Sequence, residues 1–249
     1  MKIQIFQNKI ELGACAAHEG SEAIKAAIKE RGSATIIVAT GASQFEMLTQ
    51  LIREDVDWSK VTAFHMDEYV GLPITHPASF RKYLQERLLD QLPNFGHLEF
   101  VNGDVDNIDA EIQRLNNLLD GSHIDLCLGG IGENCHLAFN DPPADFELKS
   151  SYHIVNLDEA CRHQQMGEGW FKTLDDVPEQ AISMSIKRIL ACNKIIICAP
   201  DERKANAVKH AVEGSITPNY PSSILQSHAN TSLYLDQGSA SLLNEKINV

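Results

Sequence analysis

Short apolar runs rich in β-branched residues alternate with segments of helical periodicity along most of the chain. The apolar runs predict strands at KIQIF (2–6), ATIIVAT (34–40), VTAFHM (61–66), LEFVNG (98–103), IDLCLGG (124–130), KIIICAP (194–200) and TSLYLD (231–236). The helical periodicity predicts helices at 11–31, 45–54, 80–89, 108–119, 203–212 and 240–245. Because strands alternate with helices, we expect an α/β fold with an open, mainly parallel, Rossmann-like sheet and helices on both faces.

The periodicity is weakest between Pro142 and Pro178, where Asp, Glu, Gly and Pro are frequent. Irregular segments of this length in compact folds are often lids over a site, so we expect residues 142–178 to form a lid. No internal repeat, low-complexity tract or Pro- and Gly-rich linker divides the chain. We therefore expect a single domain over residues 1–249.

Composition narrows the class of protein. Hydrophobic residues make up 43% of the 249 positions, which is enough for a packed core, and the formal net charge is −13. Such an acidic chain is a poor partner for nucleic acid or an anionic membrane, because both favour a basic face. The start, MKIQIFQNKIELG, lacks the features of a secretory signal, and no apolar run reaches spanning length, so we expect a cytoplasmic protein.

The cysteines give no sign of cross-links or of a metal centre. There is no CxxC pair and no clustering with histidine at zinc-like spacing among Cys15, Cys127, Cys135, Cys161, Cys192 and Cys198. Four of the six lie in apolar surroundings typical of reduced core thiols. We therefore expect neither a disulfide nor a metal site.

Polar and glycine-rich segments directly follow three of the predicted strands. Asp67 and Glu68 directly follow the strand VTAFHM. TGAS (40–43) lies at the end of the preceding strand, ATIIVAT, and GGIGENCH (129–136) lies at the end of IDLCLGG. Because ligands of open parallel sheets bind beyond the carboxyl ends of the strands, we expect these segments to share one rim. Taken alone, however, the acidic pair is better explained as the start of a solvated loop, since burial would penalise its charges.

Each of these segments also has an ordinary structural explanation. The helix start at TGAS suits a phosphate, but Ser43 can equally cap that helix with Glu46 completing a capping box. The glycines after the later strand let the backbone approach a ligand, yet Cys135 stands where a dinucleotide-binding fingerprint has its third glycine, which argues against that ligand. His136 is as consistent with a hydrogen-bonded structural residue as with catalysis.

Arg203 and Lys204 follow the strand KIIICAP at the predicted first turn of a helix. Cations at a helix start oppose the helix dipole, a placement that makes sense if an anion binds nearby. The more common explanation of a single lysine is a solvated surface residue.

Together, and in this order, these segments resemble the glucosamine-6-phosphate deaminase/isomerase family, which shares its fold with 6-phosphogluconolactonases. The similarity covers nearly the whole chain and is carried by ATGAS, FHMDEYVGL with HPASF, GGIG with HLAFNDP, LDEACR, RKANAVKHAVEG and PSSILQSH. The combination of MDEYVGL with HLAFN is specific to the deaminase side.

The resemblance implies an aldose-to-ketose isomerisation coupled to loss of ammonia, with a sugar phosphate as ligand and without a metal or redox cofactor. It implies that Asp67 removes the proton on C2 of the sugar, that His136 assists ring opening, and that Glu68 fixes the loop. The implied ligands of the substrate phosphate are Gly41, Ala42, Ser43, Arg162 and Lys204.

Departures from the family pattern fall beside the histidine. The deaminases usually show NDGHIAFNEP, whereas this chain has Asn134 and Asp141 at the two acidic positions and Cys135 at the glycine. Asn134 can orient His136 by a hydrogen bond but adds no charge to support an imidazolium, and Asp141 is one methylene shorter than Glu. We count both among the catalytic residues and expect a modified preference, for another amino-sugar phosphate or for isomerisation without deamination.

We thus expect an enzyme of amino-sugar and carbohydrate metabolism, classed as an isomerase and a hydrolase and able to form a homo-oligomer. Two alternatives stay open, a 6-phosphogluconolactonase-like hydrolase and a non-catalytic sugar-phosphate sensor, although no helix-turn-helix segment precedes the fold. In the predicted lid, CRHQQMGEGWFKTLDDVP is either an ordinary surface loop or a closing segment, with candidate closing residues Arg162, His163, Gln164 and Trp170.

Overall fold

The computed structural model describes residues 1–244, which form ten strands and seven α-helices. The strands are β1 (Lys2–Phe6), β2 (Ala34–Val38), β3 (Val61–His65), β4 (Asp67–Tyr69), β5 (His97–Glu99), β6 (Leu126–Gly129), β7 (Tyr152–Asn156), β8 (Gln180–Met184), β9 (Lys194–Ala199) and β10 (Thr231–Asp236). The helices are α1 (Lys9–Arg31), α2 (Phe45–Leu51), α3 (Phe80–Leu84), α4 (Ile108–Leu119), α5 (Glu159–Gly167), α6 (Ile186–Leu190) and α7 (Ala205–Glu213).

Seven strands form a sheet in the order β1-β10-β9-β6-β2-β3-β5, and every neighbouring pair is parallel. Successive side chains of a strand enter two different hydrophobic cores: in β2, Ile36 packs on one face and Ile37 on the other, and in β9 Ile196 and Ile197 divide in the same way. Helices α1 and α2 cover one face, and α4, α6 and α7 cover the other. A parallel sheet buried on both faces confirms the predicted α/β fold.

The strand order reverses between β2 and β6. From β2 the chain builds outward through β3 to β5, whereas from β6 it builds in the other direction through β9 and β10. The segments that follow β2 and β6 therefore leave the sheet in opposite directions and open a crevice at its carboxyl end. The two segments touch there, since a methyl group added to Gly130 would meet Ser43 Oγ at 2.8 Å.

A second sheet of three antiparallel strands, β4-β8-β7, was not predicted. Its strands are short and mix polar with apolar residues, as DEY, QAISM and YHIVN, so they give no clear period in the sequence. Strand β7 and helix α5 lie within residues 142–178 and give that segment regular structure. Asp67 and Glu68 open the buried strand β4, so the solvated-loop interpretation of this pair is wrong.

Some helix predictions also need correction. The described chain after β10 forms a turn rather than the predicted helix 240–245, and residue 245 lies outside the described residues. The predicted helix 80–89 continues beyond α3 as a π-helical turn, and the predicted helix 203–212 begins with a 3₁₀ turn before α7. None of the helices within residues 1–244 combines the length and apolar character needed to cross a bilayer.

Candidate active site

A cavity of about 290 Å³ opens at the carboxyl end of the parallel sheet. Its wall includes residues that follow β2, β3, β6 and β9, together with Gln164 and Gln165 of α5 and Glu168 directly after that helix. The rim segments expected from the sequence therefore meet around one space. Of the site residues predicted from the sequence, the following line the cavity: Gly41, Ala42, Ser43, Asp67, His136 and Lys204.

Asp67 presents a buried carboxyl group to this cavity. Strand β4 positions the residue, and only 6% of its surface is exposed. Burial, reinforced by the nearby charge of Glu68, raises the pKa of Asp67 to about 8. A carboxyl group that titrates this close to neutral pH is suited to general acid–base chemistry.

Glu68 does not line the cavity, and its carboxylate binds backbone groups instead. Its carboxylate accepts four hydrogen bonds at 2.8–3.2 Å, from the backbone N–H groups of Tyr69, Phe80 and Arg81 and from Ser79 Oγ. Three of these donors lie at the start of α3, so Glu68 fastens β4 to that helix. Burial raises the pKa of Glu68, but these four donors and the guanidinium of Arg81, 3.5 Å away, oppose that effect. We therefore place the negative charge of the acidic pair on Glu68 rather than on Asp67, whose carboxyl group lacks such donors within residues 1–244.

His136 forms a hydrogen-bonded pair with Asp141. Its Nδ1 lies 3.1 Å from Asp141 Oδ1, and the backbone N–H of Asp158 donates to the other carboxylate oxygen at 3.0 Å. Burial alone would raise the pKa of Asp141, but the hydrogen bonds from His136 and Asn134 keep it below its usual value. An ionised Asp141 can hold the imidazole in one orientation and stabilise its protonated form.

The turn that carries His136 is tightly packed. A methyl group added to Gly132 would come within 2.3 Å of the imidazole ring, so this position requires glycine. Cys135 has a φ of 74°, in the left-handed region where glycine is unstrained, which explains why the family pattern has glycine there.

Asn134 hydrogen-bonds to the backbone of His136 and not to its imidazole ring. Its Oδ1 accepts from the backbone N–H of His136 at 3.1 Å, while its amide nitrogen bridges Asp141 at 2.9 Å and Asp158 at 3.2 Å. Asp141, rather than Asn134, therefore orients the ring. The neutral amide at position 134 donates to two neighbouring carboxylates and links them, which a carboxylate at the same place could not do.

Three groups with metal-binding chemistry meet in this cluster, since the ligand atoms of His136, Asp141 and Cys161 lie within 4.8 Å of one another. The oxygens of Asp141 already accept hydrogen bonds, and burial raises the pKa of the Cys161 thiol, which disfavours the thiolate that a metal needs. This chemistry fits a hydrogen-bonded cluster better than a metal centre. All six cysteines of the chain are free thiols.

Lys204 brings a buried cation to the other end of the site. Only 6% of the residue is exposed, and burial lowers the pKa of its ammonium group, while the charges of Glu168 and Glu133 oppose that effect. Lys204 takes part in none of the ion pairs within residues 1–244, whereas its neighbour Arg203 pairs with Glu133 at 3.5 Å. A buried cation without a paired carboxylate suits an anionic ligand.

The segment after β2 turns sharply beside this lysine. Gly41 has a φ of 100°, which other residues rarely adopt, and the buried hydroxyl of Thr40 has no hydrogen-bond partner in the described part of the chain. Ser43 makes no capping hydrogen bond, and Glu46 pairs with Lys9 at 2.7 Å. The alternative in which Ser43 and Glu46 form a capping box is therefore wrong.

Arg162 does not line the cavity. Its guanidinium donates to the backbone carbonyls of Leu174 at 2.7 Å and Val177 at 3.0 Å, which ties α5 to the end of the 142–178 segment. Arg203, the cation next to Lys204, lines the cavity instead. The expected phosphate contact of Arg162 is therefore absent from this arrangement, because the residue lies outside the cavity lining and one guanidinium nitrogen donates to two backbone carbonyls.

Helix α5 adds cavity residues whose importance the sequence analysis missed. Gln164 accepts from the backbone N–H of Glu133 at 2.8 Å and donates to Glu168 at 3.1 Å, and Gln165 accepts from the hydroxyl of Tyr69 at 2.7 Å. The sequence indicates Gln164 only as a candidate closing residue, and it indicates no role for Gln165 or Glu168. The signal in the sequence was the adjacent Gln164-Gln165 pair, which is unusual in a helix that packs on a core.

Comparisons with known proteins show similarity over nearly the whole chain. Residues 7–234 match the family model described as glucosamine-6-phosphate isomerases/6-phosphogluconolactonase. A glucosamine-6-phosphate deaminase of Streptococcus pneumoniae (strain Hungary19A-6) is 37% identical over 98% of this chain and 100% of its own length. A solved structure described as a monomeric glucosamine-6-phosphate deaminase is 32% identical, with a TM-score of 0.86, and covers 97% of this chain and 100% of that one.

The comparisons correct the classification as a hydrolase. A 6-phosphogluconolactonase from Trypanosoma brucei superposes with a TM-score of 0.80 over 98% of both chains, but its identity of 17% shows a shared fold alone. The relatives that reach 37% identity over the full length are named deaminases. The label hydrolase is therefore not supported, whereas the labels deaminase, isomerase and amino-sugar metabolism are.

Proposed function

The chain belongs to the family of glucosamine-6-phosphate isomerases and 6-phosphogluconolactonases, and we propose that it converts glucosamine 6-phosphate, or a related hexosamine 6-phosphate, to the ketose phosphate with release of ammonia. One observation carries this proposal beyond the names of the relatives. A buried carboxyl group with a pKa of about 8 lines the same cavity as a buried lysine that has no ion-pair partner within residues 1–244. Such a site can hold an anion at one end and move a proton at the other.

The phosphate of the substrate binds at the lysine end. Lys204 supplies the charge, the free hydroxyl of Thr40 supplies a donor, and the turn at Gly41, Ala42 and Ser43 brings its backbone close to the phosphate oxygens. Binding energy gained at this end, away from the reacting carbons, holds C2 of the sugar in place.

Asp67 removes the proton from C2. A sugar C2–H is a weak acid, so its removal needs a positioned base and hydrogen-bond donors for the charge that develops on the neighbouring oxygen. In the free protein the raised pKa keeps much of Asp67 protonated at neutral pH. The ammonium group on C2 of the arriving substrate favours the ionised carboxylate, because an opposite charge at close range lowers the pKa of an acid.

His136 serves the ring-opening step, with Asp141 as its charged partner. The imidazole carries a proton from the C1 hydroxyl to the ring oxygen, and Asp141, 3.1 Å from Nδ1, stabilises the imidazolium on the way. After Asp67 has taken the C2 proton, the C1 oxygen receives a proton given up by the C2 ammonium group. Asp67 then returns its proton to C1, which leaves a protonated imine at C2. Addition of water there and loss of ammonia give the ketose.

A substrate panel tests this proposal. The protein is incubated with glucosamine 6-phosphate, galactosamine 6-phosphate, N-acetylglucosamine 6-phosphate and 6-phosphogluconolactone, and ammonia, ketose and acid are measured separately. We expect ammonia and ketose in equal amounts from at least one of the two free amines and neither product from the acetylated sugar. Acid from the lactone without ammonia from either amine, or no turnover of any compound, contradicts the proposal.

Three further expectations belong to this proposal. Residues 142–178 act as a lid, through α5, whose side chains already line the cavity. The protein works in the cytoplasm, which its free thiols favour. The chain is able to form a homo-oligomer, whereas one similar deaminase structure is described as monomeric, and the mass of the protein in solution decides between the two states.

A further inference from the structure

Gln165 offers the cavity a neutral hydrogen-bond donor that the steps above do not use. The residue lies on α5, only 5% of its surface is exposed, and it lines the cavity. Its side-chain amide has two ends, an acceptor oxygen and a donor nitrogen, and the contact with Tyr69 determines which end faces the substrate.

Tyr69 fixes that orientation. Its ring is fully buried against Phe80, Phe139 and Phe171 with centroid distances of 5.0–5.5 Å, and burial raises the pKa of its hydroxyl, which therefore keeps its proton. Within residues 1–244 the hydroxyl makes a single hydrogen bond, to Gln165 Oε1 at 2.7 Å. A flipped amide would leave this buried O–H without an acceptor, which disfavours the flipped orientation. Gln165 therefore keeps its oxygen on Tyr69 and its Nε2 towards the cavity.

The donor is tied to the same strand as the proposed base. Asp67 and Tyr69 are two residues apart in β4, so their side chains lie on one face of the strand. A cation in this place would stabilise the ionised form of Asp67 and weaken it as a base. An amide N–H instead stabilises negative charge on a nearby oxygen with little effect on the carboxylate.

We propose that Gln165 Nε2 donates a hydrogen bond to the C1 oxygen of the open-chain sugar, the oxygen that gains negative charge when Asp67 takes the C2 proton, and that Tyr69 is the positioning residue for this amide. The inference rests on the proposed function, because it needs a reaction that places charge on this oxygen. It assigns to α5 a direct part in the chemistry in addition to covering the site.

A double-mutant cycle tests the assignment, with kcat and KM for ammonia release measured for wild type, Gln165→Leu, Tyr69→Phe and the double variant. Loss of one donor to a developing oxyanion typically costs about 10²- to 10³-fold in kcat, so we expect that loss in Gln165→Leu with little change in KM. We expect a smaller loss in Tyr69→Phe and no further loss when it is added to Gln165→Leu, since the hydroxyl acts only through the amide. Gln91→Leu, an exposed glutamine outside the cavity, is the matched control.

Several results would overturn the assignment. Gln165→Leu with wild-type kcat, a change confined to KM, or losses that multiply in the double variant would each show that the amide does not act on the transition state. Competition by inorganic phosphate, which reports the lysine end of the site, should be the same in all variants and shows that they are folded. A wild type that releases no ammonia overturns the proposed function itself, whereas an active wild type with an unaffected Gln165→Leu overturns this inference alone.

Discussion

Replacing Asp67 by asparagine should stabilise the folded protein, and by an amount that grows with pH. The buried carboxyl group is costly to ionise in the folded chain, because burial and the charge of Glu68 both oppose a second negative charge. Asparagine has the shape of the neutral carboxyl group and cannot ionise. The variant therefore avoids a cost that the wild type bears only when Asp67 is charged.

The size of the effect follows from the two pKa values. In the unfolded chain Asp67 titrates near its usual value of 3.8, and in the folded chain at about 8. Between these values the folded state binds a proton that the unfolded state has lost, so the free energy of unfolding falls as pH rises and levels off above the folded pKa. At ~1.4 kcal/mol per pKa unit, the full difference is about 6 kcal/mol.

Urea unfolding of wild type and Asp67→Asn at pH 5, 7 and 9 measures this difference. We expect the variant to be more stable by about 1–2 kcal/mol at pH 5, about 4 at pH 7 and about 6 at pH 9. Asp55→Asn, at an exposed carboxylate outside the cavity, should show no such trend. An advantage of Asp67→Asn that is the same at all three pH values, or absent, would refute the reasoning.

Three other changes follow from the same geometry. Lys204→Met should raise KM for the sugar phosphate roughly 10- to 100-fold, the equivalent of losing one charged hydrogen bond, and weaken competition by inorganic phosphate, while Lys209→Met on the exposed side of α7 should not. Asn134→Asp should lower Tm above pH 5 and lower kcat, because it sets a third carboxylate against Asp141 and Asp158; higher activity would contradict the observed contacts. Finally, kcat/KM for ammonia release should fall as pH drops below about 8, since Asp67 acts as a base only when ionised, and a profile that is flat from pH 6 to 9 would argue against it.

The parallel sheet was predictable because most of its strands are short apolar runs, separated in the sequence by segments of helical periodicity. The cavity was predictable for the same reason: once the strands are placed, the segments after β2 and β6 must meet at one edge. The antiparallel sheet was not, since its three- and five-residue strands alternate too little to be separated from loops. Its strand β4 nevertheless carries the proposed base.

Partners distant in sequence account for the errors within the site. The donors that hold Glu68 include Ser79 and Arg81, and nothing in the order of residues shows that these meet a carboxylate more than ten positions away. Likewise Arg162 donates to two carbonyls at the end of the 142–178 segment, whereas the sequence motif had suggested a contact with the substrate phosphate. Gln165 was overlooked because its role depends on the hydroxyl of Tyr69.

Transfer of the C2 proton is the most direct test of the central claim. Wild type and Asp67→Asn are incubated in D₂O with the hexosamine 6-phosphate that the wild type deaminates, and deuterium at C2 of the remaining substrate and at C1 of the ketose is measured by NMR. Loss of a general base costs about 10²- to 10⁴-fold, so we predict deuterium in the wild-type reaction and none above background with Asp67→Asn, which should still bind inorganic phosphate. Deuterium incorporation by Asp67→Asn at the wild-type rate would contradict the account and leave Asp67 as a structural acid of β4.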